Sequence, residues 1–169
     1  MSFDDLLANN RKYADGFTDG GFDGIAKAGI AMVTCMDSRI EPLAMLGLKL
    51  GDAKILRSPG GRVSTSVLTG CVLSAQLLNV TRIMIVPHTR CAMASGTDAD
   101  IRRTIAERTG HDTSWISFGA HPDQLERLRA DVDMVASHPL VKGYAEVGGF
   151  MYDVDTGRQI GRASCRERV

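Results

Sequence analysis

The sequence predicts an α/β fold: a mainly parallel central sheet flanked by helices, preceded by an N-terminal helical arm. Three observations carry this reading. Short apolar runs, at Gly29–Thr34, Ala53–Leu56 and Arg82–Val86, alternate with stretches of helical periodicity, the pattern of strand–helix–strand units. Helix starts and stops fall between those runs, with glycine or proline at the boundaries. No internal repeat or linker divides the 169 residues, which suit one domain with a sizeable core.

Taken in order, Ser2 to Tyr13 reads as a short helix, with Ser2 and Asp5 as an S-x-x-D start and Phe3, Leu6 and Leu7 as an apolar stripe. Ala14 to Gly24 holds four glycines with Phe17 and Phe22 and reads as a connector. The first strand ends at Cys35. Pro42 suits a helix start, so a helix is expected through Leu43 to Leu46, stopped by Gly47. Gly51-Asp52 turns the chain into the second strand. Gly60-Gly61 leads to a helix with Val63, Val67, Cys71, Ala75 and Leu78 along one face; Cys71 belongs to that stripe and reads as a buried apolar residue. The third strand runs into a loop at His88. Thr97-Asp98-Ala99-Asp100 has the form of a capping box, and Ile101 and Ile105 continue the helix behind it. Arg102, Arg103 and Arg108 form its solvated face. Gly110 to Gly119 is a loop carrying Trp115. Pro122 opens a helix with Leu125, Leu128, Val132 and Val135 at helical spacing, ending before Pro139. Leu140 to Val147 and Phe150 to Val154 are expected as two closing strands on either side of Gly148-Gly149, with a turn at Asp155-Thr156-Gly157.

Composition narrows the class of partner. Lys and Arg number 20 and Asp and Glu 20, so no basic excess exists to neutralise nucleic-acid phosphates. No apolar run approaches the length needed to cross a bilayer. The acidic opening Met1-Ser2-Phe3-Asp4-Asp5 lacks a basic-then-apolar signal pattern, which favours the cytoplasm. Four cysteines in this context suggest metal ligation or burial rather than a disulfide frame.

The last ten residues, Ile160 to Val169, are abruptly polar and basic and show no periodicity. One back-translation of them, ATC GGA AGA GCG TCG TGT AGG GAA AGA GTG, reads as a widely used sequencing adapter. Residues 160–169 are therefore expected to be a non-native tail, leaving 1–159 as the domain. With the tail's three arginines and one glutamate set aside, 17 basic and 19 acidic residues remain, a net charge of −2, and Cys165 leaves the cysteine count.

The residues that carry chemistry fall at two strand ends. Cys35-Met36-Asp37-Ser38-Arg39 follows the first strand and His88-Thr89-Arg90-Cys91 the third. Open α/β sheets place ligands at the carboxyl ends of their strands. Two neighbouring parallel strands would bring Cys35, His88 and Cys91 to one point. Two thiolates and an imidazole make a zinc shell with one position open. His-x-x-Cys alone is a weak signal, and the plainer alternative is two buried cysteines and a surface histidine. His111, His121 and His138 have no cysteine nearby and default to exposed or capping roles.

Cys-x-Asp-x-Arg at 35–39 followed by His-x-x-Cys at 88–91 resembles the pattern of the β-class carbonic anhydrases, in their short bacterial-type form. The likeness extends over Arg57-Ser58-Pro59-Gly60-Gly61-Arg62 and Glu146 to Asp153, nearly the whole chain. It implies Zn2+ held by Cys35, His88 and Cys91, with Asp37 and Arg39 as a catalytic pair. The implied reaction is reversible hydration of carbon dioxide to bicarbonate and a proton. The resemblance also implies a homodimer or higher homo-oligomer, in which a neighbouring subunit completes the active-site cleft. Two thiolates cancel the formal charge of Zn2+, so such a site acidifies water less than a three-histidine site does. Asp37 can then accept a hydrogen bond from zinc-bound water or hydroxide and orient it, while Arg39 clamps Asp37 and keeps it ionised. Without that clamp Asp37 can swing onto the metal as a fourth ligand; the family includes both open and closed forms. The plainer alternative for the two residues is a helix cap and a surface ion pair.

The chain departs from the family pattern at Ser58 and Pro59, where Asn and Ala are frequent, at Arg90, where Asp is common, and at Ala92 in place of Gly. Arg90 either adds positive charge beside the metal or points into solvent. Two rival readings keep the fold: hydrolysis of a related small molecule such as carbon disulfide, and a closed structural zinc site without turnover. A phosphate cradle at Ser58–Gly61 is weaker, because no Walker or dinucleotide pattern accompanies it.

Overall fold

In the computed structural model, which describes residues 2–164, the chain is built around β1 (Ile30–Cys35), whose six residues are all buried. A strand covered on both faces needs apolar side chains on both, and Ile30, Ala31, Met32 and Val33 supply them. Its hydroxyl, Thr34, is satisfied by donating to the Val86 carbonyl at 2.9 Å. β2 (Ala53–Ser58) and β3 (Arg82–Val86) pair with β1 in parallel on its two sides. β4 (Glu146–Tyr152) continues in parallel beside β3, and β5 (Gln159–Ser164) closes antiparallel, giving the order β2-β1-β3-β4-β5. The mainly parallel sheet is as the alternating pattern predicts.

One face of the sheet is covered by α2 (Thr65–Leu77) and α4 (Gln124–Ser137). Ala31, Val33, Ile83 and Ile85 pack there with Val67 and Cys71 of α2 and Leu128, Val132 and Val135 of α4. Burying each larger side chain stabilises the fold by about 1.5–3 kcal/mol. On the other face Met32, Val86 and Tyr152 cluster with Ile40, Cys35 and Cys91, so the chemistry-bearing cysteines belong to a packed layer. α3 (Asp98–Thr109) starts at the expected capping box: the Thr97 hydroxyl accepts from the Asp100 amide at 3.3 Å, and the Asp100 carboxylate accepts from the Thr97 amide at 2.9 Å.

The arm is α1 (Asp4–Asp15), and none of its residues is buried. Phe3, Leu6 and Leu7 are 75%, 58% and 55% exposed, so its apolar stripe does not pack on this chain's core. The S-x-x-D start does not form. Phe3 occupies the cap position, and the Ser2 hydroxyl accepts from the Asp4 amide instead.

Two further expectations are corrected. The helix after Pro42 is only a 3-10 turn, Ala44–Leu46, because Gly47 takes a left-handed conformation (φ 67°) before a second turn can form. Of the two closing strands expected, residues 139–144 are turns instead, and a single strand, β4, runs straight through Gly148 and Gly149. A Cβ at Gly149 would lie 2.8 Å from Val132 and 2.9 Å from Leu128, so this glycine lets α4 lie close on the strand rather than turning the chain. Among the described residues no helix is long and apolar enough to cross a membrane.

Residues 160–164 of the tail set aside on composition form most of β5, and 165–169 lie outside the described residues. An antiparallel ladder is made by main-chain groups and does not depend on which side chains ride on it. The non-native origin of 160–169 therefore stands as our proposal, resting on the codon match.

Candidate metal centre

The register of the sheet assembles the centre. Thr34 of β1 pairs with Val86 of β3, so Cys35 at the end of β1 lies beside the loop that leaves β3. That loop is pinned by its neighbours. Tyr152 donates to the Pro87 carbonyl at 2.9 Å, Thr89 donates to the Tyr152 carbonyl at 2.8 Å, and the Gln124 amide holds the His88 carbonyl at 2.9 Å. The result brings one donor atom each from Cys35, His88 and Cys91 within 4.8 Å of one another, all three residues buried.

The imidazole is set for coordination. Its Nδ1 lies 2.8 Å from the Thr89 carbonyl, which can only accept, so Nδ1 carries the proton. Nε2 keeps its lone pair, is fully buried and finds no hydrogen-bond partner among the described residues. An orphaned imidazole nitrogen facing two thiols is the donor set zinc prefers, and the residues fit that ion. The neighbouring Cys91 thiol pushes Cys35 down to about 4 against the effect of burial, aided by the adjacent His88 imidazole and the amides of Asp37 and Gly60; Cys35 in turn, with burial, pushes Cys91 up.

Asp37 and Arg39 meet beside this group. The Arg39 Nε donates to Asp37 Oδ1 at 2.9 Å and Nη2 to Oδ2 at 2.8 Å, while the Arg39 amide also reaches Oδ1 at 2.9 Å. This fork, above all its side-chain bonds, holds the Asp37 carboxyl well below the usual carboxylate range. Asp37 Oδ2 lies 3.7 Å from His88 Nε2, adjacent to the cluster but turned to the guanidinium. No α-helix follows, so the carboxylate caps a turn rather than a helix.

The glycine turn supports the centre from behind. Gly61 has φ 66°, and a Cβ on it would come within 3.2 Å of the Cys35 amide nitrogen and 3.3 Å of Pro87. The departure at Ser58 is accommodated there: its buried hydroxyl donates to the Arg62 carbonyl at 2.7 Å and closes the turn. Sequence reasoning missed what anchors this turn. Arg62 forks onto Asp131 of α4 at 2.6 and 2.9 Å, and Asp131 is 1% exposed. The available signal was a carboxylate beside Val132 and three residues after Leu128, on the apolar face of a helix. Arg90 does not direct its charge at the cluster. Its guanidinium pairs with Asp155 at 2.8 Å, both side chains more than half exposed. Cys71 lies apart in the α2 layer, where desolvation pushes its thiol up to about 11. His111, His121 and His138 stay outside the group.

Comparison with known proteins agrees with this geometry. Residues 30–121 match the family described as carbonic anhydrase. The chain is 37% identical over 155 residues to β-carbonic anhydrase 1 of Mycobacterium tuberculosis, covering 92% of this chain and 94% of that protein. It is 25% identical to a carbon disulfide hydrolase of Acidithiobacillus thiooxidans, covering 91% of this chain and 78% of the other. Among solved structures, a carbonic anhydrase from Streptococcus mutans superposes with a TM-score of 0.87 at 34% identity, over 97% of this chain and 99% of that one.

Proposed function

The chain belongs to the β-class carbonic anhydrases, and from that premise we propose that Cys35, His88 and Cys91 hold Zn2+ and that Asp37, clamped by Arg39, orients the attack on carbon dioxide. The observation that carries the proposal is the conjunction of three convergent donors with a doubly bonded carboxylate next to them. Zinc held there would act as a Lewis acid that makes an oxygen nucleophile available from water near neutral pH. The chain's own residues do the rest. Asp37 Oδ1 is filled by the Arg39 amide and Nε, but Oδ2 takes only Arg39 Nη2, keeps a lone pair and can accept the nucleophile's proton in a hydrogen bond. Because Asp37 is ionised it can only accept, so the nucleophile's own lone pair is left facing the substrate carbon. Arg39 keeps the carboxylate charged and engaged away from the three donors. The Gln124 and Thr89 contacts fix the imidazole, so the geometry is set before substrate arrives.

The same proposal includes a homodimer or larger homo-oligomer. It is supported by the uncovered stripe of α1 and by Phe17 and Phe22, 44% and 42% exposed on the connector. Carbon disulfide hydrolysis is the second reading, favoured by the 25% identity to a hydrolase of that substrate, against 37% to a carbonic anhydrase. A closed structural zinc site is disfavoured by the Arg39 fork, which holds the Asp37 carboxylate turned toward the guanidinium.

The test is Asp37→Asn at matched zinc content. The amide cannot reproduce an ionised acceptor, so carbon dioxide hydration should fall by a factor of about 10²–10⁴ with zinc retained. Full activity at full occupancy would overturn the orienting role.

A further inference from the structure

We propose that Arg90 is a positioning residue for the Asp37–Arg39 pair, acting through its main-chain carbonyl, with Asp155 as the strut that holds its backbone. The inference rests on the roles given to Asp37 and Arg39 above. Arg90 has φ 55°, a left-handed conformation that side-chain-bearing residues disfavour, shared among the described non-glycine residues only with Asn79. Such a conformation persists where the surroundings over-determine it, and here they do so on three sides.

The carbonyl of Arg90 accepts from Arg39 Nη2 at 3.3 Å, the same nitrogen that donates to Asp37 Oδ2 at 2.8 Å. Its guanidinium Nη1 meets both Asp155 oxygens, at 2.8 and 3.0 Å. Asp155 in turn sits in the turn between β4 and β5, where its amide donates to Asp153 Oδ1 at 2.9 Å and Gly157 donates to the Asp153 carbonyl at 2.9 Å. Next to Arg90, the Thr89 amide donates to Tyr152 at 2.8 Å and the Thr89 hydroxyl accepts from Val154 at 3.2 Å. Thr89 and Arg90 are thus tied to the end of β4 and the β4–β5 turn.

This arrangement gives Arg39 an acceptor outside the carboxylate it clamps. The rotamer that forks onto Asp37 is also the one that reaches Arg90, so the carbonyl favours the clamped state over one in which Asp37 turns to the donor cluster. The cation at position 90 then serves as a tether for the loop, its charge met by Asp155. The ion pair is largely exposed, so its loss alone should have a small effect. Misdirecting the carbonyl should have a larger one.

The experiment compares Arg90→Gly, Arg90→Val and Asp155→Ala in the zinc-loaded full chain. Two readouts are used: hydrogen exchange of the Arg39 Nε proton by nitrogen-15 NMR, and kcat/KM for carbon dioxide hydration. Glycine keeps the left-handed conformation accessible while deleting the guanidinium; valine opposes it. Arg90→Gly and Asp155→Ala should speed Arg39 exchange and lower kcat/KM by about two- to five-fold, the scale of an exposed ion pair. Arg90→Val should change both by roughly ten-fold or more. Equal effects of glycine and valine at position 90 would overturn the carbonyl's role. Wild-type Arg39 exchange in Asp155→Ala would overturn the strut. Should Arg90→Val fail to hold zinc, unchanged Arg39 exchange in both remaining variants overturns the proposal. Full activity of Asp37→Asn would refute the underlying reading separately, because Arg39 exchange reports the clamp without reference to turnover.

Discussion

The guanidinium fork holds the Asp37 carboxylate turned toward Arg39, so swinging it onto a metal among the three donors competes with that fork. On the proposed assignment, the five residues from Cys35 to Arg39 place a zinc ligand and a restrained competitor for the same ion side by side. Arg39→Ala should keep zinc but free Asp37 to take the fourth position, with activity falling and X-ray absorption showing a carboxylate oxygen in the shell. Cys35→Ala, His88→Ala and Cys91→Ala should instead lose the metal, read by zinc content after gel filtration. A variant of the first kind that sheds zinc, or of the second kind that keeps it, contradicts the assignment. At this scale the local spacing was legible: a ligand, an acid and an arginine at alternate positions can meet without help from the rest of the chain. Asp131 was not, because its partner Arg62 lies 69 positions away and only the docking of α4 brings them together.

Elements were read well where a pattern had a single cause and less well where glycine had two. The capping box at Thr97 formed as written because its bonds are made within four residues. Gly148-Gly149 read as a break between strands, since glycine usually punctuates. Its cause is instead the approach of α4, and no local pattern records how close a distant helix will lie. Gly149→Ala should therefore be costly. Its Cβ would fall 2.8 Å from Val132 and 2.9 Å from Leu128, forcing α4 outward. Overpacking of this kind destabilises by about 1–3 kcal/mol. Urea unfolding should show the midpoint lowered with an unchanged slope; a wild-type midpoint would mean that the helix yields freely. The short turn after Pro42 illustrates the opposite limit. Its start signal was real, but Gly47 leaves room for one turn only.

For the whole molecule, the parallel order β2-β1-β3-β4 is what carries residues 53 positions apart, Cys35 and His88, to one end of the sheet. That convergence was legible because alternating strands and helices admit few arrangements. What covers α1 was not legible, since an exposed apolar stripe does not say whether it meets its own core or another copy. The structure removes the first option, and sedimentation at micromolar concentration should show at least a dimer. Removing residues 2–15 should shift that equilibrium toward monomer; a wild-type protein that sediments as a compact monomer contradicts the assembly. The central claim concerns turnover, and stopped-flow hydration of carbon dioxide by the zinc-loaded wild-type chain tests it most directly. We expect hydration that rises from neutral to alkaline pH and disappears when a chelator removes the metal. With one zinc bound per chain, an absence of turnover at every pH across that range would contradict the account and leave a structural zinc site in its place.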